Sequence, residues 1–280
     1  MEVIMIDQII TIFCICDEAV KCINFQDSSQ YKMSTSEVMT FAITSALVYG
    51  CDYKKSRLVC SNFKFFKKIL SHSQLVRRVH QIPNCLWYMV FYSLQVYLRN
   101  TKNYCFIVDS FPVKAYENHK SFRARIFKKK EYHGYTASKK QYFFGIKVHM
   151  VVDSDGIPIE FIFTPGNCSD ILALKNMTLD LPKGSLILGD KAYNNYSFED
   201  ALMVQNGISL VAKRKFNQKR QHSEELSQLL RKERNKVETV FSSIISRMPR
   251  YIKARTEKGF CLKIIFLILA YMINLHHPLV

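Results

Sequence analysis

The sequence predicts an α/β fold, in which a mixed five-stranded sheet is flanked by helices and preceded by a small helical domain. The first hundred residues carry two helix-start signals and lack the alternation of apolar and polar residues that strands show. Two alternating runs on either side of Asp155-Gly156 then indicate an antiparallel hairpin. Further short apolar runs follow with helical segments between them, and this order implies a mixed sheet with helices on its faces.

The helix-start signals are two capping boxes, which begin at Ser34 and Ser71. The helix after Ser71 carries Arg77 and Arg78, so it could enter a DNA groove as in helix-turn-helix modules. An ordinary amphipathic helix has the same spacing, and spacing alone does not separate the two readings. We expect residues 1–100 to form a helical domain that binds DNA ends.

Five β-prone segments predict the strands of the second domain, residues 101–280, which follows a linker near residues 96–103. A helix is expected between the third and fourth strands, and a long amphipathic helix is expected from Ser223 to about Arg247. The five segments are Tyr104 to Val108, Phe144 to Val152, Ile157 to Phe163, Ser185 to Gly189 and Ile208 to Ala212.

The most apolar run of the chain, Ile264 to Ile273, has ten residues, too few to span a bilayer. It predicts a buried helix and no membrane association. The nine cysteines include no Cys-x-x-Cys pair and no zinc-site spacing, so we expect reduced thiols and a reducing compartment.

The net charge of the chain is +17, which favours a polyanion as partner over the competing reading, an anionic membrane surface. Between Val113 and Lys147 ten Lys or Arg residues face two acids, and between Lys213 and Lys236 nine face three. One such run is as often a solvated surface as a binding site. Two runs on either side of a candidate acidic site favour nucleic acid.

Three acids form the candidate catalytic site. Asp109 and Asp190 each directly follow a short apolar strand, where active residues gather in open α/β sheets. Glu238 lies on the long helix, four residues after Arg234. Clustered carboxylates repel one another, and hard oxygen ligands suit Mg²⁺ or Mn²⁺, so we expect two such ions bound by these same three residues.

Each acid also has an ordinary interpretation. An acid after a strand is often a turn residue or a helix cap, and Arg234 with Glu238 makes a common surface ion pair. The hypothesis depends on the three together. His149 and Lys147 point to one side of a strand, where they could contact phosphate, although a hydrogen-bonded core histidine is at least as common. The cations expected to contact DNA are Arg77, Arg78, Lys139, Lys140, Lys147, Lys191, Lys213, Arg214, Arg231 and Arg234.

Several motifs resemble those of bacterial insertion-sequence transposases, and the nearest group is the one numbered 982. The resemblance as a whole covers residues 100 to 275, and the motifs that carry it lie within that range. They are Ile107-Val-Asp-Ser-Phe-Pro-Val, Phe144-Gly-Ile-Lys-Val-His-Met-Val-Val-Asp, Gly156-Ile-Pro-Ile-Glu, Thr164-Pro-Gly-Asn-Cys-Ser-Asp170, Gly189-Asp-Lys-Ala-Tyr193 and Arg234-Asn-Lys-Val-Glu238.

The resemblance implies a ribonuclease-H-like DDE catalytic domain. It also implies that metal-activated water cleaves the element ends and that the freed 3′-hydroxyl attacks target DNA. Asp109, Asp190 and Glu238 match the three acidic positions. Arg231 stands where related transposases carry a tyrosine, and Ile245 where they carry a basic residue.

The partners implied by the resemblance are the terminal inverted repeats of the element, target DNA and a second copy of the chain in a homodimer. The compartment is the bacterial cytoplasm, at the nucleoid. Two alternatives remain open from the sequence. One is a ribonuclease-H-like nuclease that cuts DNA without joining it, and the other is an inactive transposase remnant that only binds DNA.

Overall fold

The computed structural model describes residues 2–62, 66–99, 102–116, 125–136 and 140–276. The chain divides into two compact units. A helical unit contains residues 1–99 and 243–280, and a sheet unit contains residues 100–242. The first boundary falls inside the expected linker.

Local capping residues set where two of the helices in the helical unit begin. Ser34 and Ser71 both close the capping boxes that the sequence predicted, and Gly50 ends the second helix in the left-handed conformation. In chain order the helices are α1 Glu2–Cys22, α2 Thr35–Tyr49, α3 Tyr53–Asn62, α4 His72–Gln81, α5 Asn84–Leu98, α6 Asp170–Lys175, α7 Tyr196–Asn206, α8 Glu224–Ser246 and α9 Glu257–His276.

Helix α9 belongs to the helical unit, which differs from the expectation that residues 101–280 form one domain. The physical reason is that α9 is apolar all round and therefore needs partners on every side. It packs against α2 and α5, and the Phe266 ring lies 4.6 Å from that of Trp87. By length and composition α9 is apolar enough to cross a membrane, but 72% of its apolar window is buried inside the protein, as the sequence predicted.

The described part of the sheet unit contains six strands in mixed orientation. β1 pairs antiparallel with β3 and parallel with β5, β6 extends the parallel side, and both β2 and β4 pair with β3. The strands are β1 Cys105–Tyr116, β2 His133–Thr136, β3 Gln141–Asp153, β4 Pro158–Pro165, β5 Leu186–Gly189 and β6 Ser209–Ala212. The mixed sheet is confirmed, with the short strand β2 added to the expected five. The arrangement is consistent with a ribonuclease-H-like domain.

Strand β1 is longer than the sequence predicted, because it continues past Asp109 to Tyr116. Pro112 lies within it and pairs with Lys147 on β3. β5 ends opposite Val108, so among the described strands β1 has no partner on that side from Asp109 onward. A proline is tolerated on such an edge because no second partner strand needs its missing N–H.

The two faces of the sheet are covered differently. One face carries a buried cluster that joins β1, β5 and β6 to α6, α7 and the segment after β5, through residues such as Phe106, Leu174 and Leu202. On the other face, Phe111 of β1 meets Phe241 of α8 with ring centroids 4.7 Å apart. Residues of β1 alternate between these faces, so Asp109 lies on the α8 side and Ser110 on the α6 side.

Candidate active site

Two of the three predicted acids meet where β1 and β5 run side by side. Val108 pairs with Gly189, so Asp109 and Asp190 are the next residues on two parallel neighbours. The backbone N–H of Ser110 donates to Asp109 Oδ1 at 2.8 Å. Asp190 caps a short 3₁₀ turn and accepts the N–H of Ala192 at 2.7 Å. The sheet register therefore brings together two carboxylates that are far apart in sequence.

The Asp109 carboxyl is held in an environment that disfavours its charge. Burial raises its pKa to about 6, against the opposing effects of the Ser110 N–H and the Arg234 guanidinium. The negative charges of Asp190 and Asp170 raise that pKa further. Such a carboxyl gains from any additional positive charge brought next to it.

Glu238 approaches this pair through Arg234. Arg234 Nη2 lies 3.9 Å from Asp109 Oδ2, and its Nε lies 3.7 Å from Glu238 Oε1. The Glu238 side chain is 62% exposed, whereas the Asp109 side chain is mostly buried. The Arg234 guanidinium therefore lies between Asp109 and Glu238, and its contact with each carboxylate is long.

The carboxylate oxygens of Asp109 and Asp190 are of the kind that hard divalent cations prefer. The third acid, Glu238, is not placed to complete a metal site with them. Within the described residues, no group of three His, Cys, Asp or Glu side chains is arranged to hold a metal ion. Asp109 and Asp190 follow paired residues of neighbouring strands, and burial together with the negative charge of Asp190 raises the pKa of Asp109, which marks a deficit of positive charge. These two residues fit a Mg²⁺ or Mn²⁺ ion, and Glu238 would join them only on leaving Arg234.

A fourth acid, Asp170, lies on the opposite face of β1 and was not predicted as a site residue. It is the first residue of α6, and its Oδ1 accepts the Ser110 hydroxyl at 2.9 Å and Lys147 Nζ at 3.3 Å. Because Ser110 also contacts Asp109, Asp170 reaches the catalytic candidate through one residue. The sequence signal that could have identified Asp170 is its position at the end of the motif Asn-Cys-Ser-Asp, which resembles transposase motifs.

His149 is a core histidine. Its side chain is fully buried, its Nε2 lies 2.8 Å from Thr164 Oγ1, and its Nδ1 lies 3.6 Å from Asp170 Oδ1. Burial lowers the pKa of His149 to about 4, with Asp170 opposing that effect. The reading of His149 as a phosphate contact does not agree with this placement, because DNA cannot reach the ring.

Tyr193 is a second residue that sequence reasoning did not assign to the site. Its buried ring packs against Gly189, where a Cβ atom would lie 3.1 Å from the ring. Burial, followed by the charges of Asp170, Asp109 and Asp190, raises the pKa of the Tyr193 phenol. The hydroxyl is therefore a protonated group within electrostatic reach of all three aspartates.

A cationic cavity of about 130 Å³ lies beside the site in the sheet unit. Four of the predicted DNA-contacting cations line it, together with His222 and three uncharged side chains. Its position is tied to the site because the Lys213 N–H donates to the Gly189 carbonyl at 3.0 Å. The four cations are Lys213, Arg214, Arg231 and Arg234.

Several predicted DNA contacts have other partners. Arg78 is 8% exposed and binds Asp27, Thr35 and the Met33 carbonyl, so it holds the helical unit together and does not present a charge to DNA. Lys147 is mostly buried and donates to Asp170 and the Cys168 carbonyl. Both placements correct the expectation from the sequence, which could not distinguish a buried cation from an exposed one.

The remaining cations divide by exposure. Arg214 lines the cavity but is itself mostly buried in a bidentate pair with Glu199. Arg77, Lys140 and Lys191 are exposed, and Lys191 directly follows Asp190. Lys139 lies outside the described residues. The cations that remain open to a DNA backbone are therefore Arg77, Lys140, Lys191, Lys213, Arg231 and Arg234.

Comparison with curated proteins gives no match. A family model described as the transposase DDE domain matches residues 100–273, which is well over half of the chain and includes all three predicted acids. Transposases of this family act on DNA and generally use divalent metal ions. On this match, the chain belongs to the DDE transposase family of insertion sequences.

Proposed function

We propose that the protein cleaves the ends of an insertion sequence and joins them to target DNA. The observation that carries this proposal is the juxtaposition of Asp109 and Asp190 at the end of β5, with Arg234 linking Asp109 to Glu238. We further propose that the element belongs to the group of insertion sequences numbered 982, on the motifs given above.

Both steps of the proposed reaction exchange one P–O bond for another. In cleavage, a water oxygen bonds to the scissile phosphorus, the P–O3′ bond breaks, and the departing O3′ takes up a proton as the water loses one. In joining, that freed 3′-hydroxyl loses its proton and bonds to a target phosphorus, displacing a target O3′. The same residues serve both steps because both are in-line displacements at phosphorus.

The carboxylates would act by position and charge. Divalent ions such as Mg²⁺ or Mn²⁺, two of them by the family resemblance, supply Lewis acidity when bound. Asp109 and Asp190 would hold them, and Glu238 would complete the site once Arg234 turns to a DNA phosphate. Arg234 would then exchange two loose carboxylate contacts for a charge-assisted contact with the substrate.

The cavity beside the site would hold the DNA backbone. Lys213 and Arg231 are its exposed cations, and Lys191 extends the positive surface to Asp190. In the helical unit, the exposed Arg77 on α4 is the remaining candidate for contact with the terminal inverted repeats. We further propose a homodimer that pairs two element ends, acting at the nucleoid of the bacterial cytoplasm.

The test is cleavage of a supercoiled plasmid that carries the element ends, in Mg²⁺. We expect Asp109→Asn and Asp190→Asn each to lower cleavage by about a thousandfold or more, since one lost electrostatic group at a reacting centre already costs about 10²–10³. Asp180→Asn, which changes an exposed acid away from the site, is the matched control and should cleave normally. DNA binding by all three variants should remain close to that of the parent.

The same assay separates the alternatives. Joined products show strand transfer, whereas nicked plasmid without joined products identifies a nuclease. Binding without nicking identifies a remnant. Normal cleavage by both site variants would overturn the assignment of the acids, and binding that does not weaken as salt rises would contradict the DNA-backbone surface.

A further inference from the structure

An exposed row of aromatic side chains lies on the β2–β3 edge of the sheet unit, away from the acids. His133 pairs with Phe144 and Tyr135 with Tyr142, so all four rings project from one face of the sheet. Tyr135 is 48% exposed and Tyr142 is 57% exposed, and the His133 ring is exposed as well. Large aromatic surface at the edge of a sheet is unusual unless something covers it.

The rings support one another in nearly parallel stacks. The His133 ring lies 5.1 Å from Tyr142 with an interplanar angle of 20°, and 4.9 Å from Phe144 with an angle of 26°. The fourth ring, Tyr135, is not parallel to its neighbour: its centroid lies 4.8 Å from that of Tyr142, with an angle of 49° between the ring planes. These contacts hold the row together within the protein, and the Tyr135 and Tyr142 side chains keep about half of their surface exposed to solvent.

The backbone beneath the row is closely fitted. Between the two outward rings of β2, Gly134 points inward, where a Cβ atom would lie 2.4 Å from the Gly166 carbonyl oxygen and 2.5 Å from the Phe143 ring. Only glycine fits there, so β2 is fixed in the register that presents the rings. Tyr135 and Tyr142 are about half exposed and Phe144 is partly buried, so the row is not a covered core cluster.

The surroundings of the row are strongly basic. Lys128, Lys129, Lys130 and Lys140 are all exposed, and among the described neighbours only Glu131 opposes them. Lys129 is 3.9 Å from Glu131, a contact too loose to neutralise the patch. A ligand that matches both features carries negative charge and flat, stackable faces, which is the chemistry of a nucleic-acid strand.

The row lies on the same face as the catalytic candidate. Met150 pairs with Asp109, and Phe144 is six residues earlier on β3, hence on the same face and about 20 Å away at 3.3 Å per residue. Bases in a duplex stack on one another and expose only their edges in the grooves. Rings of this kind therefore meet unpaired bases.

We propose that His133, Tyr135, Tyr142 and Phe144 form a stacking platform for unpaired nucleotides of the DNA strand that passes the acids. This stacking platform rests on the proposed function in one respect, namely that DNA is the substrate. The platform would hold a strand separated from its complement near the cut, through base stacking together with the phosphate contacts of the neighbouring lysines.

The experiment compares two oligonucleotides of about 20 residues, one of thymidines and one of abasic spacers, which carry the same phosphate charge. Fluorescence anisotropy in EDTA measures binding without cleavage. We expect the parent protein to prefer the thymidine strand. Tyr142→Ala should weaken that binding about fivefold or more and leave abasic binding unchanged, while Tyr142→Trp should retain the preference. Tyr92→Ala, at 52% exposure in the helical unit, is the matched control.

The outcomes separate this inference from the proposed function. Equal binding of the two strands by the parent, or an unaltered preference in Tyr142→Ala, overturns the platform and leaves the proposed function standing. Tyr142→Ala could also sediment as a monomer where the parent sediments as a dimer, while its preference for the thymidine strand is unchanged. That result would show that the rings bind a second copy of the chain, and it too would overturn the platform. Failure to bind either strand or duplex DNA overturns the proposed function itself.

Discussion

The two units each contain an arginine paired with an aspartate, and the pairs are built in opposite ways. In the helical unit, Arg78 lies 3.3 Å from Asp27, also contacts Thr35 and the Met33 carbonyl, and has its guanidinium 3.4 Å above the Tyr31 ring. In the sheet unit, Arg234 lies 3.9 Å from Asp109 and 3.7 Å from Glu238.

The difference distinguishes a structural ion pair from one at a site. Asp27 receives the backbone N–H and the hydroxyl of Thr35, at the start of α2, so both of its oxygens are used. Asp109 accepts a hydrogen bond from the Ser110 N–H at one of its oxygens, Oδ1, and burial raises the pKa of its carboxyl. A fully bonded carboxylate stabilises the fold, whereas a poorly satisfied one retains affinity for something else.

The largest effect on stability is expected from Arg78→Ala. The substitution leaves Asp27 without its cation and removes a guanidinium packed on Tyr31, and breaking such a mostly buried pair costs about 3–5 kcal/mol. Urea unfolding should show this loss as a lower midpoint. Arg77→Ala, one residue earlier and exposed, should remain within about 0.5 kcal/mol of the parent. Equal effects of the two substitutions would contradict the structural role of Arg78.

The next largest effect is the pH dependence that Asp109 imposes. Its pKa is about 6 in the folded protein and 3.8 as a free side chain, so between these values the unfolded chain has lost a proton that the folded chain keeps. The free energy of unfolding therefore falls as pH rises through this window, by up to about 3 kcal/mol. Below about pH 4 Asp109 is protonated in both states, so it causes no further change in stability.

Asp109→Asn should remove this dependence. Without divalent ions, the variant should match the parent near pH 4 and exceed it in unfolding free energy near pH 7.5, while Asp180→Asn follows the parent throughout. A parent and an Asp109→Asn variant whose unfolding curves run parallel across this range would show that Asp109 is not disfavoured in its charged form.

The contrast between the two pairs also shows what the sequence could predict. The capping boxes at Ser34 and Ser71 are local, since all their atoms lie within four residues, and both are present. The end of β5 at Gly189 was readable from its apolar run for the same reason, whereas β1 continues to Tyr116, past the end that the sequence predicted at Val108. Burial of Arg78 depends on Asp27, 51 residues away, and no local pattern distinguishes it from its exposed neighbour Arg77.

Two features of the sheet unit, strand β2 and the site residue Asp170, were not predicted from the sequence, for related reasons. β2 has four residues, with glycine in the second position, so its alternation is too short to detect without its partner β3. Asp170 begins a six-residue helix and becomes part of the site only because β1 and β3 place Ser110 and Lys147 beside it. Sheet register is a long-range property, and it sets which residues meet.

Asp170→Asn tests whether an acid with close partners can still serve the site. Asp170 bonds Ser110, which contacts Asp109, so it is a positioning residue whose loss should lower cleavage about 10–100-fold, as for outer partners of metal ligands. DNA binding should not change, and Asp170→Glu should restore part of the activity. A shift in the Mg²⁺ concentration for half-maximal cleavage would separate positioning from a general loss of fold, which circular dichroism monitors.

The smallest effect on stability is expected from Arg234→Gln. Its two carboxylate contacts are long and partly exposed, and such pairs contribute at most about 1 kcal/mol. Because Arg234 opposes the rise in the Asp109 pKa, its loss should move that pKa higher still, which the pH dependence of unfolding will show. If the variant instead loses as much stability as Arg78→Ala, the two pairs are equivalent and Arg234 belongs to the fold. A small loss of stability combined with a large loss of cleavage indicates that Arg234 contributes mainly to the reaction.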